Sequence, residues 1–335
     1  MSPKTESEIK NNWKYTNKIY ISCICITYNQ EGYIENAING MLSQLTEFKF
    51  EIIIYDDVSN DGTKKILEKY KKKYPSIIKI IRPHENQYSK GLRTTFLASD
   101  YALGKYIALC EGDDYWINEF KLQKQIIFLE ENKDIDLICH NAYAMTTQNT
   151  LKKHWEKESG YYSLNDILIT EGQFAPTASY FFRREVIEKI PKWIYKESPI
   201  ADLIIEIFSS LNSKKIYFLN EYLSCYRICS IGSWSSMNRQ SINNRLIYLE
   251  KLHSVLDKIK IEYEISESIN LKLESEYRNT LIMLFSNKNY GLFFKYIRKS
   301  QQVKMKLDYK FARQIIKHIL PKKMLTILRA YLNRR

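Results

Sequence analysis

At 335 residues the chain is long enough for one large core or two modest domains, and its 44% hydrophobic content argues against disorder. Ten Gly and seven Pro against 26 Tyr exclude a collagenous, low-complexity or linker-rich chain. The formal charge of +13 suggests a nucleic-acid partner until it is located. Residues 288–335 hold fourteen Lys or Arg and one acid, Asp308, so a near-neutral body carries a basic tail.

The opening MSPKTESEIKNNWK has no apolar signal core, and no run reaches the roughly 18 apolar residues of a membrane span, so the chain is expected in the cytoplasm. Cys23, Cys25, Cys110 and Cys139 lie in apolar runs and read as reduced core residues. Cys225 and Cys229 form a close pair without a partner pair or a nearby His at ligand spacing, which speaks against zinc. The five histidines likewise show no ligand spacing.

Along the chain, IYISCICITY at 19–28 predicts a strand, and 31–45 an amphipathic helix. The pair recurs: strands at 50–57, 77–83 and 105–114 precede helices near 61–73, 91–103 and 118–131. Nearly continuous apolar strands alternating with helices predict an α/β fold with a mostly parallel sheet covered on both faces. Ligands of such sheets sit beyond the carboxyl ends of the strands. After residue 135 the alternation weakens into IDLICHNAYAM, PTASYFFRR, a helix near 201–211 and a strand at 215–220. From about residue 236 the chain reads as helical. After Pro321, Met324, Leu325, Leu328, Tyr331 and Leu332 share one helical face opposite Lys and Arg.

Polar residues gather at the strand ends. Thr27, Tyr28 and Asn29 end the first strand, and TYNQEGYIENA lacks the glycines of a Walker or dinucleotide loop. Asp56 and Asp57 end the second, before Ser59, Asn60, Asp61 and Gly62, which could simply cap and turn into a helix. Glu111-Gly112-Asp113-Asp114 places three acids in four residues after the fourth strand. Their repulsion suits Mn²⁺ or Mg²⁺ shared with a diphosphate; a solvated turn, with Asp114 or Asn118 capping the next helix, is the other reading.

TYNQ, YDDVSNDGT and GKYIALCEGDDYW, in this order and spacing, resemble family 2 of the glycosyltransferases over roughly residues 18–235. The resemblance implies a GT-A fold at 18–235, between an N-terminal extension at 1–17 and a basic helical region at 236–335. It further implies an inverting transferase that uses a nucleotide-sugar donor, most often a UDP-sugar, and a divalent metal. Thr27, Tyr28 and Asp57 match the usual base and ribose contacts, with Asn29 and Asp56 beside them. Glu111 and Asp113 match the two acids of the Asp-x-Asp motif, where Asp113, with Asp114 next to it, would hold the metal. The family more usually has Asp at the first position.

Arg93 falls where the family often places a donor contact. Asp202 matches the general base that deprotonates the acceptor hydroxyl, although an acid is also favoured in a helix's first turn. Glu206, one turn later, is its substitute. Arg227 matches a segment that closes over the donor phosphates, with Cys229 where a His is expected and Trp234 read as packing. The acceptor implied is a glycan or lipid-linked hydroxyl in surface polysaccharide assembly, and the basic tail at 288–335 fits an anionic membrane surface on the inner face. The competing reading is a nucleic-acid-binding or scaffold protein using the tail alone; no RNP, zinc-finger or helix-turn-helix signature accompanies it, and nucleic acid is not expected. A nucleotidyltransferase would want a Gly-rich basic loop after the first strand, which is missing.

Overall fold

The computed structural model describes residues 4–146, 148, 150–228, 241–265, 268–305, 311 and 315. The chain divides into two compact units, Met1–Ser236 and Met237–Arg335.

In the first unit, β1 (Ile21–Thr27) pairs in parallel with β2 (Phe50–Asp56) and β4 (Tyr106–Leu109), and β2 pairs with β3 (Ile78–Ile81). Every residue of β2 is buried, as is all of β1 but one, which is why these strands read as unbroken apolar runs. Helix α2 (Ile34–Leu42) lays Ile34, Ala37, Ile38 and Met41 on this sheet at helical spacing. Helices α3 (Thr63–Lys73), α4 (Thr94–Ser99) and α5 (Lys121–Glu131) follow their strands. Helix α4 is shorter than its sequence pattern because Gly91 has φ +86° and Arg93 is extended, holding residues 91–93 outside the helix. Ahead of β1, helix α1 (Glu6–Asn11) puts Ile9 into the same core as Phe50.

The later half makes the sheet mixed. Strand β9 (Phe181–Arg183) is antiparallel to both β4 and β6 (Leu137–Met145), and β10 (Lys215–Arg227) runs parallel to β6 and antiparallel to β5 (Tyr115–Trp116). The order is β3-β2-β1-β4-β9-β6-β10-β5, with β7 (Leu151–His154) on β6 and β8 (Gly160–Ser163) on β10. Two register shifts between Leu219 and Ser224 bend β10, so a strand legible only at 215–220 continues to Arg227. Short helices α6 (Leu164–Ile169), α7 (Glu185–Lys189) and α8 (Ile194–Glu197) lead to α9 (Asp202–Ser213).

The second unit has helices Ile242–Glu262, Ser268–Ser286 and Tyr290–Ser300. Leu249, Leu252, Leu256 and Ile259 of the first meet Ile269, Leu273, Tyr277 and Leu281 of the second as buried stripes. Arg245 pairs with Glu276 at 2.7 Å across them. No described helix is long and apolar enough to cross a membrane. The amphipathic run after Pro321, with Cys229 and Trp234, lies outside the described residues.

Candidate active site

The loops after β1 and β2 are tied together by side chains. Asn29 takes a left-handed φ of 52°, a region Asn tolerates, and bridges the loops: its N–H donates to Ser59 Oγ at 2.9 Å and its Oδ1 accepts the Asn60 N–H at 2.8 Å. Gln30 N–H donates to Thr63 Oγ1 at 2.9 Å, and Thr27 donates to Gln30 Oε1 at 2.8 Å. Thr27 is buried, whereas Tyr28 is 48% exposed and is the ring free to meet a ligand.

Asp56 and Asp57 have different tasks. Asp56 is fully buried; Oδ1 accepts the Ser59 N–H at 2.9 Å and hydroxyl at 2.5 Å, and Oδ2 pairs with Arg82 at 2.9 Å. Its carboxylate is therefore engaged by Ser59 and Arg82, which stiffens the loop after β2. Asp57 accepts the N–H groups of Gln87 at 2.7 Å and Tyr88 at 2.9 Å, ordering the segment after β3. Directly after them, Val58 donates its N–H to Asp56 O at 2.7 Å, closing a three-residue turn, and its φ of 68° is a strained state for a β-branched residue.

Arg93 is also committed inside the fold. Its guanidinium donates to Pro199 O at 2.9 Å and Gly91 O at 3.1 Å and lies 4.8 Å from the Tyr88 ring, while burial lowers its pKa. It anchors the 86–93 segment to the stretch before α9.

The acidic turn leaves β4 through Cys110 and Gly112, whose N–H groups donate to Ile24 O at 3.0 Å and Ile26 O at 2.9 Å. A Cβ on Gly112 would lie 2.3 Å from Gln30 Oε1 and 2.9 Å from Thr27 Oγ1, so a side chain here would displace the Thr27–Gln30 hydrogen bond. Asp114 is buried; Oδ1 accepts the Arg227 N–H at 2.9 Å, while Oδ2 has no hydrogen-bond partner among the described residues. Burial, then repulsion from Asp113 and Glu111, raises its pKa well above the usual carboxylate range. Glu111 is pushed up to about 8 by burial first, then by Asp113 and Asp202, with a Thr177 hydrogen bond opposing the rise.

Arg227 ends β10 beside this turn. Its guanidinium donates to Asp113 O and lies over the rings of Tyr115, at 4.6 Å, and Tyr33, at 5.1 Å. Asp202 opens α9 and accepts the Leu203 N–H at 2.8 Å; its repulsion of Glu111 places the two carboxylates at one site although 91 positions separate them in sequence. Glu206, one turn on, is buried and accepts the Tyr180 hydroxyl.

Among the described residues no three His, Cys, Asp or Glu side chains form a ready metal cage. The donor set nonetheless fits a cation that shares its shell with a diphosphate: crowded acids held above their usual pKa, and an unpartnered Asp114 oxygen. Arg82, Gly112 and Thr177 are the residues that sequence reasoning missed; Arg82 closing β3 in IIRP was the one visible cue.

A parallel α/β half with acids at its strand ends, closed by a half of mixed strand direction, defines a GT-A fold. The chain belongs to glycosyl transferase family 2, whose profile matches residues 22–191. An uncharacterized protein of Mycobacterium tuberculosis is 32% identical over 218 residues, covering 64% of this chain and 61% of that protein. The chain thus spans about three fifths of such a relative. Poly(ribitol-phosphate) beta-N-acetylglucosaminyltransferase TarS of Staphylococcus aureus is 24% identical over 278 residues, 81% of this chain and 44% of TarS. The crystal structure of S. aureus TarS 1–349 in complex with UDP-GlcNAc shares the fold, with a TM-score of 0.60 at 19% identity, covering 89% of this chain and 79% of that one.

Proposed function

We propose that this chain is an inverting glycosyltransferase that moves a sugar from a UDP-sugar to a hydroxyl of a glycan or lipid-linked acceptor in surface polysaccharide assembly. The observation that carries the reading is the turn after β4, where Glu111 faces the charge of both Asp113 and Asp202, the first residue of α9. Family membership and the UDP-GlcNAc bound by TarS support the donor class.

Thr27 and the exposed Tyr28 lie where base and ribose would rest, on loops that Asn29 and Asp56 stiffen and beside the segment that Asp57 orders. Asp113, with Asp114 behind it, would hold Mn²⁺ or Mg²⁺. The ion supplies charge neutralisation for the departing diphosphate when bound. Arg227 adds a fixed positive charge on the same side. Asp202 takes the proton of the acceptor hydroxyl as its oxygen bonds to the anomeric carbon; the carbon–phosphate oxygen bond breaks on the opposite face, and its electron pair leaves with UDP. One displacement inverts the anomeric centre.

The charge of 288–335 supports docking of the cytoplasmic enzyme on an anionic inner membrane face, each near-surface Lys or Arg contributing about 1 kcal/mol. The test of the chemistry is label transfer from a panel of UDP-sugars to glycan and glycolipid extracts with Mn²⁺ present. Asp202→Asn should lower turnover by about a hundredfold or more and leave UDP affinity within about twofold. Full activity in that variant would remove Asp202 from the mechanism.

A further inference from the structure

The later half of the first unit holds an aromatic group that donor binding leaves unused. Trp155 follows β7 with φ 53°, a strained state for so bulky a residue. The loop is clamped in place: Asn141, buried on β6, accepts the Lys157 N–H at its Oδ1 and donates from Nδ2 to Lys157 O, both at 2.9 Å. The Trp155 ring stands edge-on to Tyr226 at 5.3 Å and to His154 at 4.2 Å. Trp155 and Tyr226 are only half-buried and His154 is exposed. A core tryptophan would be covered; this one is held rigidly with part of its surface open.

A hydrogen-bonded chain links this wall to the acidic site. Trp155 Nε1 donates to Gln173 O at 3.1 Å, Gln173 Nε2 donates to Thr177 Oγ1 at 3.0 Å, and Thr177 bonds Glu111. Tyr226 directly precedes Arg227, and strand alternation sends its ring to the face of β10 opposite that guanidinium. Trp155 and Tyr226 thus form an aromatic wall separate from the Arg227 guanidinium.

Resting on the transferase reading above, we propose that Trp155 and Tyr226 form a stacking subsite for a sugar ring of the acceptor, leading its hydroxyl toward Asp202. A pyranose presents a C–H face that packs on an aromatic ring and a polar rim for neighbouring donors. Rigid rings bind such a surface with little ordering cost.

The test is saturation-transfer NMR of the full chain with UDP present to fill the donor site. The probes are the methyl glycosides of glucose, galactose, mannose, rhamnose, N-acetylglucosamine and N-acetylgalactosamine. At least one should receive saturation from the wild type. That signal should fall about tenfold in Trp155→Ala and survive in part in Trp155→Phe, which keeps a ring but loses the Gln173 bond. Melting temperature and UDP affinity, compared across the three proteins, separate subsite loss from misfolding. Absence of any glycoside signal in the wild type, or an undiminished signal in folded Trp155→Ala, would overturn the subsite. Failure of UDP to bind the wild type would instead sink the donor reading, and a glycoside signal lost with Trp155 would still support the subsite.

Discussion

Replacing Asp57 by Asn should loosen the segment after β3 while the sheet beneath it holds. Both carboxylate oxygens of Asp57 accept backbone N–H groups, Gln87 at 2.7 Å and Tyr88 at 2.9 Å. Asn offers one acceptor oxygen and sets its own NH₂ against the second N–H, so one amide loses a hydrogen bond to a charged group, worth about 1.5–3 kcal/mol. Converted at about 1.4 kcal/mol per tenfold, the affected amide should exchange with solvent roughly 10- to 100-fold faster. Amide exchange read by NMR at Gln87 and Tyr88 measures this directly, with amides in β2 as the internal control. UDP affinity should fall with it, because this segment lies beside the loops proposed to receive base and ribose. Unchanged exchange at both amides would refute the idea that Asp57 orders this segment.

Other outcomes follow from the same geometry. Gly112→Ala should destabilise the first unit by about 1–3 kcal/mol and weaken UDP binding in Mn²⁺, since the added carbon collides with Gln30 and Thr27; equal urea midpoints and affinities would contradict the close approach. Lys121 is fully buried, donates to Gln125 at 2.7 Å and lies 4.2 Å from the Trp116 ring, and burial lowers its pKa from 10.5 to about 7. A folded pKa below the unfolded one contributes stability that is present above pH 10.5 and lost as pH falls through about 7. Lys121→Met should therefore remove part of the fall in unfolding free energy between pH 9.5 and 7 (about the range that urea titrations can follow); parallel profiles for the two proteins would oppose this. Asp202→Asn should separate transfer from UDP binding as described above.

The parallel half of the fold was legible because burial on both faces forces β1 and β2 to be apolar throughout, and α2 and α3 show a clear helical period. Strand β10 was legible only at 215–220, because its register shifts interrupt the alternation that marks the rest. At the site, the sequence located the acidic clusters but could not tell which acids face outward. Asp56 and Asp57 are neighbours in an identical context, yet one turns into a buried ion pair and the other reaches across to loop amides. Arg93 was legible as a basic residue in the right region. Its commitment to Pro199 O depends on a contact 106 positions away, which no local pattern encodes. Glu206 is a like case, since this acid one helical turn from Asp202 accepts the Tyr180 hydroxyl, which no local pattern encodes.

The central claim is that the acidic turn after β4 receives a nucleotide diphosphate together with a divalent ion. Calorimetric titration of the protein with UDP, with and without Mn²⁺, and again with Asp113→Asn, tests it most directly. Binding should strengthen with Mn²⁺ in the wild type and lose that metal dependence in Asp113→Asn. UDP that fails to bind with Mn²⁺ present, or a metal dependence that survives Asp113→Asn, would contradict it.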